Sequence, residues 1–481
     1  MAKSLKEQTT SALFWSFMDK GGQQFLQLAF MFILSQLIIP DELGLIAVLV
    51  IFSAVANIMQ ESGFSSALIR KQNADEADYA SIFYFNIGIS VTIYIILFIA
   101  APWIAAFYKQ PVLTGLSRFV FLGFVFNALG IIQNVHLIKK MDFKTNARIS
   151  ILASLISGMV AVAMAYFKYG VWSLAVQQVL QAMLRSLFLW MWVKWYPKEG
   201  FQLARIKALY NYSSKLLLNS LFNQIAGNIT SMIMGKKFLF SDAGNYSNAT
   251  KFGYVPQSVI ASSLSSVTFP LLNNIGDNQE RRNRVFRKIV RVISFVCFPL
   301  AAFTFVAADP IVLTFLREKW IGAIPMLRIL SVGSSVLPLL YLLTSLLQSL
   351  GRSGLLLTME FTRNLLTVLG IFIASYYGIS QMLWVVSIMT VITFFSEYYV
   401  TGRIIGYKMF HILKDVLPYA FLAVLSFGPL YFLSVYISNN LLLLVLQGVI
   451  GASVYLILLK LAGSKVMDDF LSIIKGKKLN V

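Results

Sequence analysis

The sequence predicts an all-α polytopic membrane protein with about 14 transmembrane helices. Its composition is 58% hydrophobic and 12% charged, whereas a soluble domain carries about 25% charged residues. Its mean hydropathy is +0.74, and apolar segments of about 20 residues, long enough to cross a bilayer, recur along the whole chain. Basic residues recur between these segments in an alternating rhythm, which assigns each connection to one side of the membrane.

Fourteen segments have the length and apolar character of a membrane span. Their approximate limits are 12–38, 43–65, 79–101, 112–135, 147–167, 171–193, 208–235, 243–272, 289–316, 322–350, 354–377, 380–402, 414–437 and 440–462. An even number of spans places both termini on the same side of the membrane.

The distribution of Lys and Arg orients these spans. With a cytoplasmic N-terminus, 28 of the 40 basic residues fall in cytoplasmic connections and termini, six fall outside and six lie within spans. This asymmetry follows the positive-inside rule and predicts cytoplasmic termini. The net charge of +20 therefore lies where anionic lipid head groups attract it, and we expect no nucleic-acid partner. The basic run from Arg281 to Arg291 is interpreted as a topology anchor.

A weak internal repeat divides the chain. The connection Pro40–Gly44 has the sequence PDELG, and the connection at 241–244, about 200 residues later, has the sequence SDAG. A repeat of six helices is even, so its two copies have the same orientation in the membrane. We therefore predict a first lobe at 1–200 with helices 1–6 and a second at 201–410 with helices 7–12. Residues 411–481 then hold helices 13 and 14 and a basic tail.

Residues suited to covalent chemistry are scarce. The chain has one cysteine, Cys297, and two histidines, His136 and His411, and it contains no phosphate-binding GxxxxGK[ST] loop and no HExxH metal motif. The predicted connections are short and leave no room for a catalytic domain. We expect no enzymatic activity, no catalytic residue, no metal site and no cofactor.

Several stretches resemble a known transporter family. The segment IIPDELGLIAVLVIF and the following GFSSALIRK are similar to the N-terminal region of polysaccharide transporters of the WzxC and TuaB type. The stretches KKMDFKTNARIS, GVWSLAVQQ, FSDAGNYSNATKF and YLLTSLLQSLGRSG fit the same family. These proteins belong to the multidrug/oligosaccharidyl-lipid/polysaccharide exporter superfamily. The family that this chain resembles also contains O-antigen flippases.

The resemblance implies a flippase of the bacterial inner membrane that moves a lipid-linked oligosaccharide, or a related envelope polysaccharide precursor, by alternating access. It also implies functional coupling to polysaccharide-assembly proteins. Because nothing in the chain is expected to bind ATP, we expect an ion gradient, H⁺ or Na⁺, or the membrane voltage to supply the energy. A pseudo-symmetric two-lobe chain is expected to work as a monomer among membrane lipids.

Polar side chains within the predicted spans are the candidates for a cargo-binding cavity, because ionisable groups at membrane depth are costly. Six basic residues lie there against four acids, Asp19, Glu61, Glu360 and Glu397, a balance that favours an anionic cargo. The cavity candidates are Lys20, Gln24, Gln27, Arg118, Asn223 and Lys251.

Alternatives remain open for these residues. The polar stripe of the first span also fits hydrogen bonding between helices. Arg118 and Lys251 are interpreted as unpaired cations that contact a pyrophosphate or an acidic sugar, although Arg118 could equally extend to the membrane interface.

The candidates for gating or ion coupling are Asp19, Glu61, Glu360, Arg363 and Glu397. Glu360 and Arg363 are three residues apart, close enough to form a purely structural pair on one helix face.

Two other functions are compatible with the class. A multidrug exporter of the same superfamily would antiport an organic cation against H⁺ or Na⁺, and it calls for an acidic cavity. A membrane glycosyltransferase or polymerase calls for clustered acids and a large outer loop, neither of which the sequence offers.

Overall fold

The computed structural model describes residues 5–61, 65, 68, 69, 71, 73–274, 279–407, 409–464, 466 and 467. Within these ranges every regular element is a helix. The chain divides into two compact units, Met1–Gly244 and Asn245–Val481. The all-α membrane fold predicted from the sequence is confirmed, whereas the division into two lobes and a C-terminal pair of helices stays a prediction.

In the described part of the first unit there are seven complete helices and the beginning of an eighth. These are α1 (Leu5–Leu37), α2 (Pro40–Glu61), α3 (Glu76–Tyr108), α4 (Val112–Lys139), α5 (Phe143–Tyr166), α6 (Val171–Val193), α7 (Leu203–Lys237) and α8 (Phe240–Asn274). The helices that follow are α9 (Gln279–Val306), α10 (Ala308–Phe315), α11 (Ala323–Ser334), α12 (Leu337–Ser349), α13 (Ser353–Ala374), α14 (Ile379–Ile405), α15 (Met409–Phe427) and α16 (Asn440–Leu461).

Ten segments of the described chain are long and apolar enough to cross a membrane. Four further helices, α1, α6, α7 and α8, have 33, 23, 35 and 35 residues but carry more polar side chains. In α6, for example, Gln177, Gln178, Gln181 and Arg185 interrupt the apolar sequence. Polar side chains in a membrane helix face a protein interior or a wet cavity rather than lipid. The count of 14 spans therefore stays a prediction.

The predicted ninth and tenth spans differ from the observed helices. The ninth was predicted at 289–316, but α9 begins at Gln279 and ends at Val306, and the short α10 follows it. The basic residues at 281–288 therefore belong to a helix rather than to a connection. The predicted tenth span, 322–350, is divided between α11 and α12, with Pro338 in the first turn of α12. Proline is tolerated in a first turn, where its missing N–H has no intrahelical partner.

The helices pack on large apolar side chains and on close glycine contacts. In the first unit, Tyr79, Ile82 and Phe83 of α3 form a core with Ile132 and Val135 of α4. In the second unit, the core joins α9, α12 and α14, with members that include Phe286, Leu339 and Phe394. Because lipid is as apolar as these side chains, helix association depends on the closeness of such packing rather than on the hydrophobic effect.

Candidate functional site

The polar stripe of α1 is used partly for helix packing. Asp19 is 9% exposed, and its two carboxylate oxygens accept hydrogen bonds from Gln23 Nε2 at 2.6 Å and from Asn146 Nδ2 of α5 at 3.2 Å. Further along the stripe, Gln24 Nε2 donates to Gln27 Oε1 at 3.5 Å, and Gln27 is exposed. Asp19 therefore ties α1 to α5, and the role of Gln24 and Gln27 in a cavity stays a prediction.

Arg118 contacts an aromatic ring, and its assignment to a cavity stays a prediction. Its guanidinium carbon lies 4.2 Å from the centre of the Phe98 ring, and its Nε donates to the Phe98 carbonyl at 3.3 Å. A guanidinium over an aromatic face is a favourable cation–π contact. Arg118 therefore packs α4 against the last third of α3, and the sequence could not show this because the two residues are 20 positions apart.

Two further candidates, Lys251 and Asn223, have side chains that the structure describes. Lys251 is half-buried on α8, and within the described part of the chain its ammonium group has no hydrogen-bond or ion-pair partner. Asn223 is half-buried on α7. The side chains of the cavity candidate Lys20 and of the gating candidate Glu61 lie outside what the structure describes. The assignment of Lys20, Lys251 and Asn223 to a cavity stays a prediction, as does that of Glu61 to gating or ion coupling.

The gating candidates of the second unit pair differently from the expectation. Arg363 Nη1 lies 3.8 Å from Glu397 Oε1 on α14, so Arg363 contacts the neighbouring helix, whereas the sequence suggested that it pairs with Glu360 of its own helix. Glu397 is 2% exposed, and neither of its carboxylate oxygens has a hydrogen-bond partner among the described residues. A buried carboxylate with one distant cation is an unusual arrangement, because a buried charge normally acquires hydrogen bonds.

A polar pocket lies inside the first unit, between α2, α4 and α6. Its volume is about 430 Å³, and its polar lining includes Asn57, Asn127, Asn134 and Arg185. Arg185 Nη2 donates to Asn134 Oδ1 at 3.4 Å. Arg185 is the single charged residue among the described residues that line the pocket. Arg185 lies within the predicted span 171–193, but it is not among the cavity candidates drawn from the sequence.

Close packing of α4 on α6 positions this lining. Gly130 has no side chain, and a Cβ there would lie 2.9 Å from Leu189 Cδ1 and 3.4 Å from Ser186 Cα. Trp190 Nε1 donates to the Leu129 carbonyl at 2.7 Å. These contacts fix the rotation of α6 against α4, and the rotation directs Arg185 towards the pocket.

The two repeated connections meet at the predicted outer end of the first unit. A Cβ built on Gly44 would overlap the Phe240 carbonyl oxygen, and one built on Gly244 would overlap the Pro40 carbonyl oxygen. Gly235 of α7 lies equally close to Val48 of α2. Only glycine lets two backbones approach so closely. The beginnings of α2 and α8 are therefore in reciprocal backbone contact.

Ion pairs tie the opposite end of the first unit together. Asp78 is 1% exposed, and it accepts Lys71 Nζ at 2.5 Å and Arg205 Nη1 at 3.4 Å. Arg205 also reaches Asp75 at 2.9 Å. Asp75 caps α3, and the hydrogen bond that its carboxylate accepts from the Asp78 backbone N–H lowers its pKa from the ordinary value. The connection after α2 and the beginning of α7 are thereby both bound to the beginning of α3.

The basic run at the beginning of α9 is partly neutralised inside the second unit. Asp415 of α15 is 2% exposed, and it accepts Arg287 Nε at 2.8 Å and Arg291 Nε at 2.7 Å. The hydroxyl of Tyr407 donates to the same carboxylate at 2.5 Å. Asp415 and Asp309 both lie within predicted spans, 414–437 and 289–316, but they were left out of the four acids counted there, so the charge balance drawn from the sequence was incomplete. Asp309 is bound by Arg328.

Among the described residues, no group of three or more His, Cys, Asp or Glu could hold a metal ion.

The chain is similar in sequence to known proteins of polysaccharide biosynthesis. In sequence, the chain is 23% identical to the succinoglycan biosynthesis transport protein ExoT of Rhizobium meliloti, over 96% of this chain and 95% of that protein. It is 26% identical to the teichuronic acid biosynthesis protein TuaB of Bacillus subtilis, over 78% of this chain and 79% of that protein.

In structure, the chain is similar to the lipid II flippase MurJ in its inward closed conformation. The TM-score is 0.79 at 14% identity, covering 97% of this chain and all of that one. The family model described as "Polysaccharide biosynthesis protein" matches residues 33–325, more than half of the chain, which confirms the family resemblance drawn from the sequence. The chain belongs to this polysaccharide biosynthesis protein family.

Proposed function

We propose that this chain is a flippase that moves a lipid-linked, anionic oligosaccharide or a related polysaccharide precursor from the cytoplasmic to the outer leaflet of the bacterial inner membrane. The observation that carries the proposal is the contrast between the two ends of the first unit. The repeated connections at Pro40–Gly44 and Phe240–Gly244 pack backbone to backbone at one end, while the polar pocket around Arg185 lies near the other.

This contrast suits one state of an alternating-access cycle. The helix ends beside the pocket are Lys139 and Val193, which the positive-inside rule assigns to the cytoplasm. Asn134 and Arg185 precede these ends by five and eight residues, or about 8 and 12 Å at 1.5 Å per residue. A polar head group can therefore reach the pocket from the cytoplasmic side while the opposite end stays closed.

The chemistry of the pocket favours a sugar cargo. Amides and hydroxyls supply the donors and acceptors that a sugar requires, and the guanidinium attracts a negative group. A cation exporter requires a carboxylate in such a position, and the described lining contains none. The relatives named above are described as transport and biosynthesis proteins for succinoglycan and teichuronic acid, which supports transport rather than sugar transfer by this chain.

Three further features belong to the proposal. Both termini are cytoplasmic, and the transport unit is a monomer that acts with polysaccharide-assembly proteins. The energy comes from an H⁺ or Na⁺ gradient. The buried Glu397, 3.8 Å from Arg363, is the candidate for the residue that responds to the coupling ion, since a change in its charge would change its attraction to Arg363.

The decisive experiment uses the full chain in liposomes. A fluorescent polyprenyl-pyrophosphate oligosaccharide is placed in one leaflet, and its appearance in the other is followed with an impermeant quencher under an imposed H⁺ or Na⁺ gradient. Efflux of a cationic dye is measured in parallel. Movement of the lipid-linked sugar without dye efflux is the expected result. Dye efflux alone identifies a drug exporter, and sugar transfer to an acceptor by the purified chain identifies an enzyme.

A further inference from the structure

The pocket between α2, α4 and α6 has the properties of a discrete anion site. Its volume of about 430 Å³ falls within the range of roughly 300–1,000 Å³ found for small-molecule sites. Among the described lining residues it has one cation and no carboxylate. Its polar groups come from three helices and from Ser65, which follows α2, so they converge on one volume instead of following one helix face.

Arg185 is the group that selects the charge of the ligand. A guanidinium presents a planar set of donors that matches a carboxylate or phosphate with two parallel hydrogen bonds. Its Nη2 already donates to Asn134 Oδ1 at 3.4 Å, a long bond to a neutral acceptor. A charged acceptor in the pocket makes a shorter and stronger bond than a neutral amide does.

The neighbouring groups complement a sugar ring attached to that anion. Asn57 of α2 and Asn127 of α4 present amides to the same pocket, and each amide both donates and accepts. Ser65 also lines the pocket, and its buried hydroxyl has no hydrogen-bond partner among the described residues. A buried hydroxyl without a partner is costly, and a ligand hydroxyl in the pocket satisfies it.

We infer that this pocket binds the negatively charged group of the cargo head, a phosphate or a sugar carboxylate, through Arg185, with the adjoining sugar on Asn57, Asn127 and Ser65. The inference rests on the proposed function for the identity of the cargo. It differs from the expectation drawn from the sequence, which assigned this role to Arg118 and Lys251. Arg118 instead lies on the Phe98 ring.

Two probes separate the sources of the negative charge. Farnesyl pyrophosphate carries phosphate without sugar, and a disaccharide with one glucuronic acid carries a carboxylate without phosphate. Binding of each probe to the full-length protein in nanodiscs is measured by titration calorimetry for the wild type, Arg185→Gln and Arg185→Lys. The control is Arg403→Gln, because Arg403 is an exposed arginine that lies over the Tyr399 ring, 4.5 Å from its centre.

We expect Arg185→Gln to weaken binding of one or both probes at least about tenfold, or about 1.4 kcal/mol, because it removes a charged hydrogen bond. Arg185→Lys should recover part of the loss, since lysine keeps the charge but not the paired geometry. Loss confined to farnesyl pyrophosphate identifies a phosphate site, and loss confined to the disaccharide identifies a carboxylate site. Equal affinity of wild type and Arg185→Gln for both probes overturns the inference.

The same variants separate this inference from the proposed function. If the wild type moves the lipid-linked sugar in liposomes but Arg185→Gln binds both probes normally, the function stands and the site is wrong. If Arg185→Gln loses probe binding but the wild type moves no sugar lipid, the site stands and the function is wrong. An unchanged elution volume and unfolding temperature for Arg185→Gln show that the loss is not due to misfolding.

Discussion

Removing the charge of Asp415 should destabilise the second unit strongly. In the native state this carboxylate, 2% exposed, accepts hydrogen bonds from Arg287, Arg291 and Tyr407. Asp415→Asn keeps the shape of the side chain but leaves two guanidinium groups without a counter-charge. Breaking a fully buried pair costs about 3–5 kcal/mol. The arginine side chains are 33% and 31% exposed, so water solvates them and offsets part of this cost. We therefore expect the free energy of unfolding to fall by about 2–3 kcal/mol.

The assay uses the single cysteine of the chain as its reporter. Cys297 is 0% exposed and belongs to the same core as Phe286 and Leu339, so a thiol-reactive dye labels it only after unfolding. For a unit of this size, a loss of about 2–3 kcal/mol lowers the midpoint temperature by about 4–12 °C. Glu199→Gln, which makes the same chemical change at an exposed position of a connection, should leave the midpoint unchanged.

A second set of variants tests the physical reason. If the cost comes from uncompensated arginine charge, replacing both Arg287 and Arg291 by Gln in the Asp415→Asn background should restore much of the lost stability. A midpoint for Asp415→Asn equal to that of the wild type would refute the reasoning, because the two arginines would then have no need of the carboxylate.

Three further outcomes are expected. Gly244→Ala should open the predicted outer end: overpacking costs about 1–3 kcal/mol, which shifts a closed-to-open ratio by about 5- to 150-fold. The reporter is Val48→Cys, at a position that is 0% exposed in the closed form, introduced into Gly244→Ala and into the control Gly88→Ala, whose added Cβ meets nothing within 4 Å. An impermeant maleimide should label this cysteine faster in Gly244→Ala than in Gly88→Ala. Equal rates would contradict the close contact. Arg363→Gln should lower the Cys297-reported midpoint more than the double variant Arg363→Gln/Glu397→Gln does, since only the single variant leaves a buried carboxylate without its cation; a less stable double variant would argue against the pair. Asp75→Ala should destabilise the beginning of α3 at neutral pH. Because the pKa of Asp75 is lowered in the folded state, the difference in stability between wild type and variant should disappear as the pH falls through and below the ordinary value of 3.8. A difference in stability that persists in acid would mean that the charge of the cap contributes nothing.

Which arginine lines a polar pocket could not be read from the chain. The sequence contains Arg118 and Arg185 in equivalent settings, each a cation inside an apolar segment. In the structure, one covers the Phe98 ring and the other lines a polar pocket. The difference depends on the rotation of α4 and α6 about their own axes, and that rotation is set by contacts such as Gly130 against Leu189, between residues about 60 positions apart.

The same limit applies to charge pairing. Arg363 has an acidic neighbour three residues away on its own helix, Glu360, which is the partner that local spacing suggests. It contacts Glu397 instead, because α13 packs beside α14 and brings that carboxylate within reach of Arg363. Helical spacing along one segment does not show a contact between two helices. The pairing of Asp415 could not be predicted for a similar reason: its partners, Arg287 and Arg291, lie more than 120 positions earlier.

The sequence by itself determined the membrane class, the helical fold and the family, since each depends on local properties that a single chain displays. Apolar segments of about 20 residues predict helices because backbone polar groups in lipid must be bonded within the segment. The repeated connections PDELG and SDAG were visible as a pattern, but only the tertiary structure showed that Gly44 and Gly244 meet. The tertiary structure also decided which cations are bound by carboxylates or aromatic rings and that Arg185 lines the pocket. Such contacts join residues far apart in sequence, and they are fixed only when the helices have packed with one particular rotation and register.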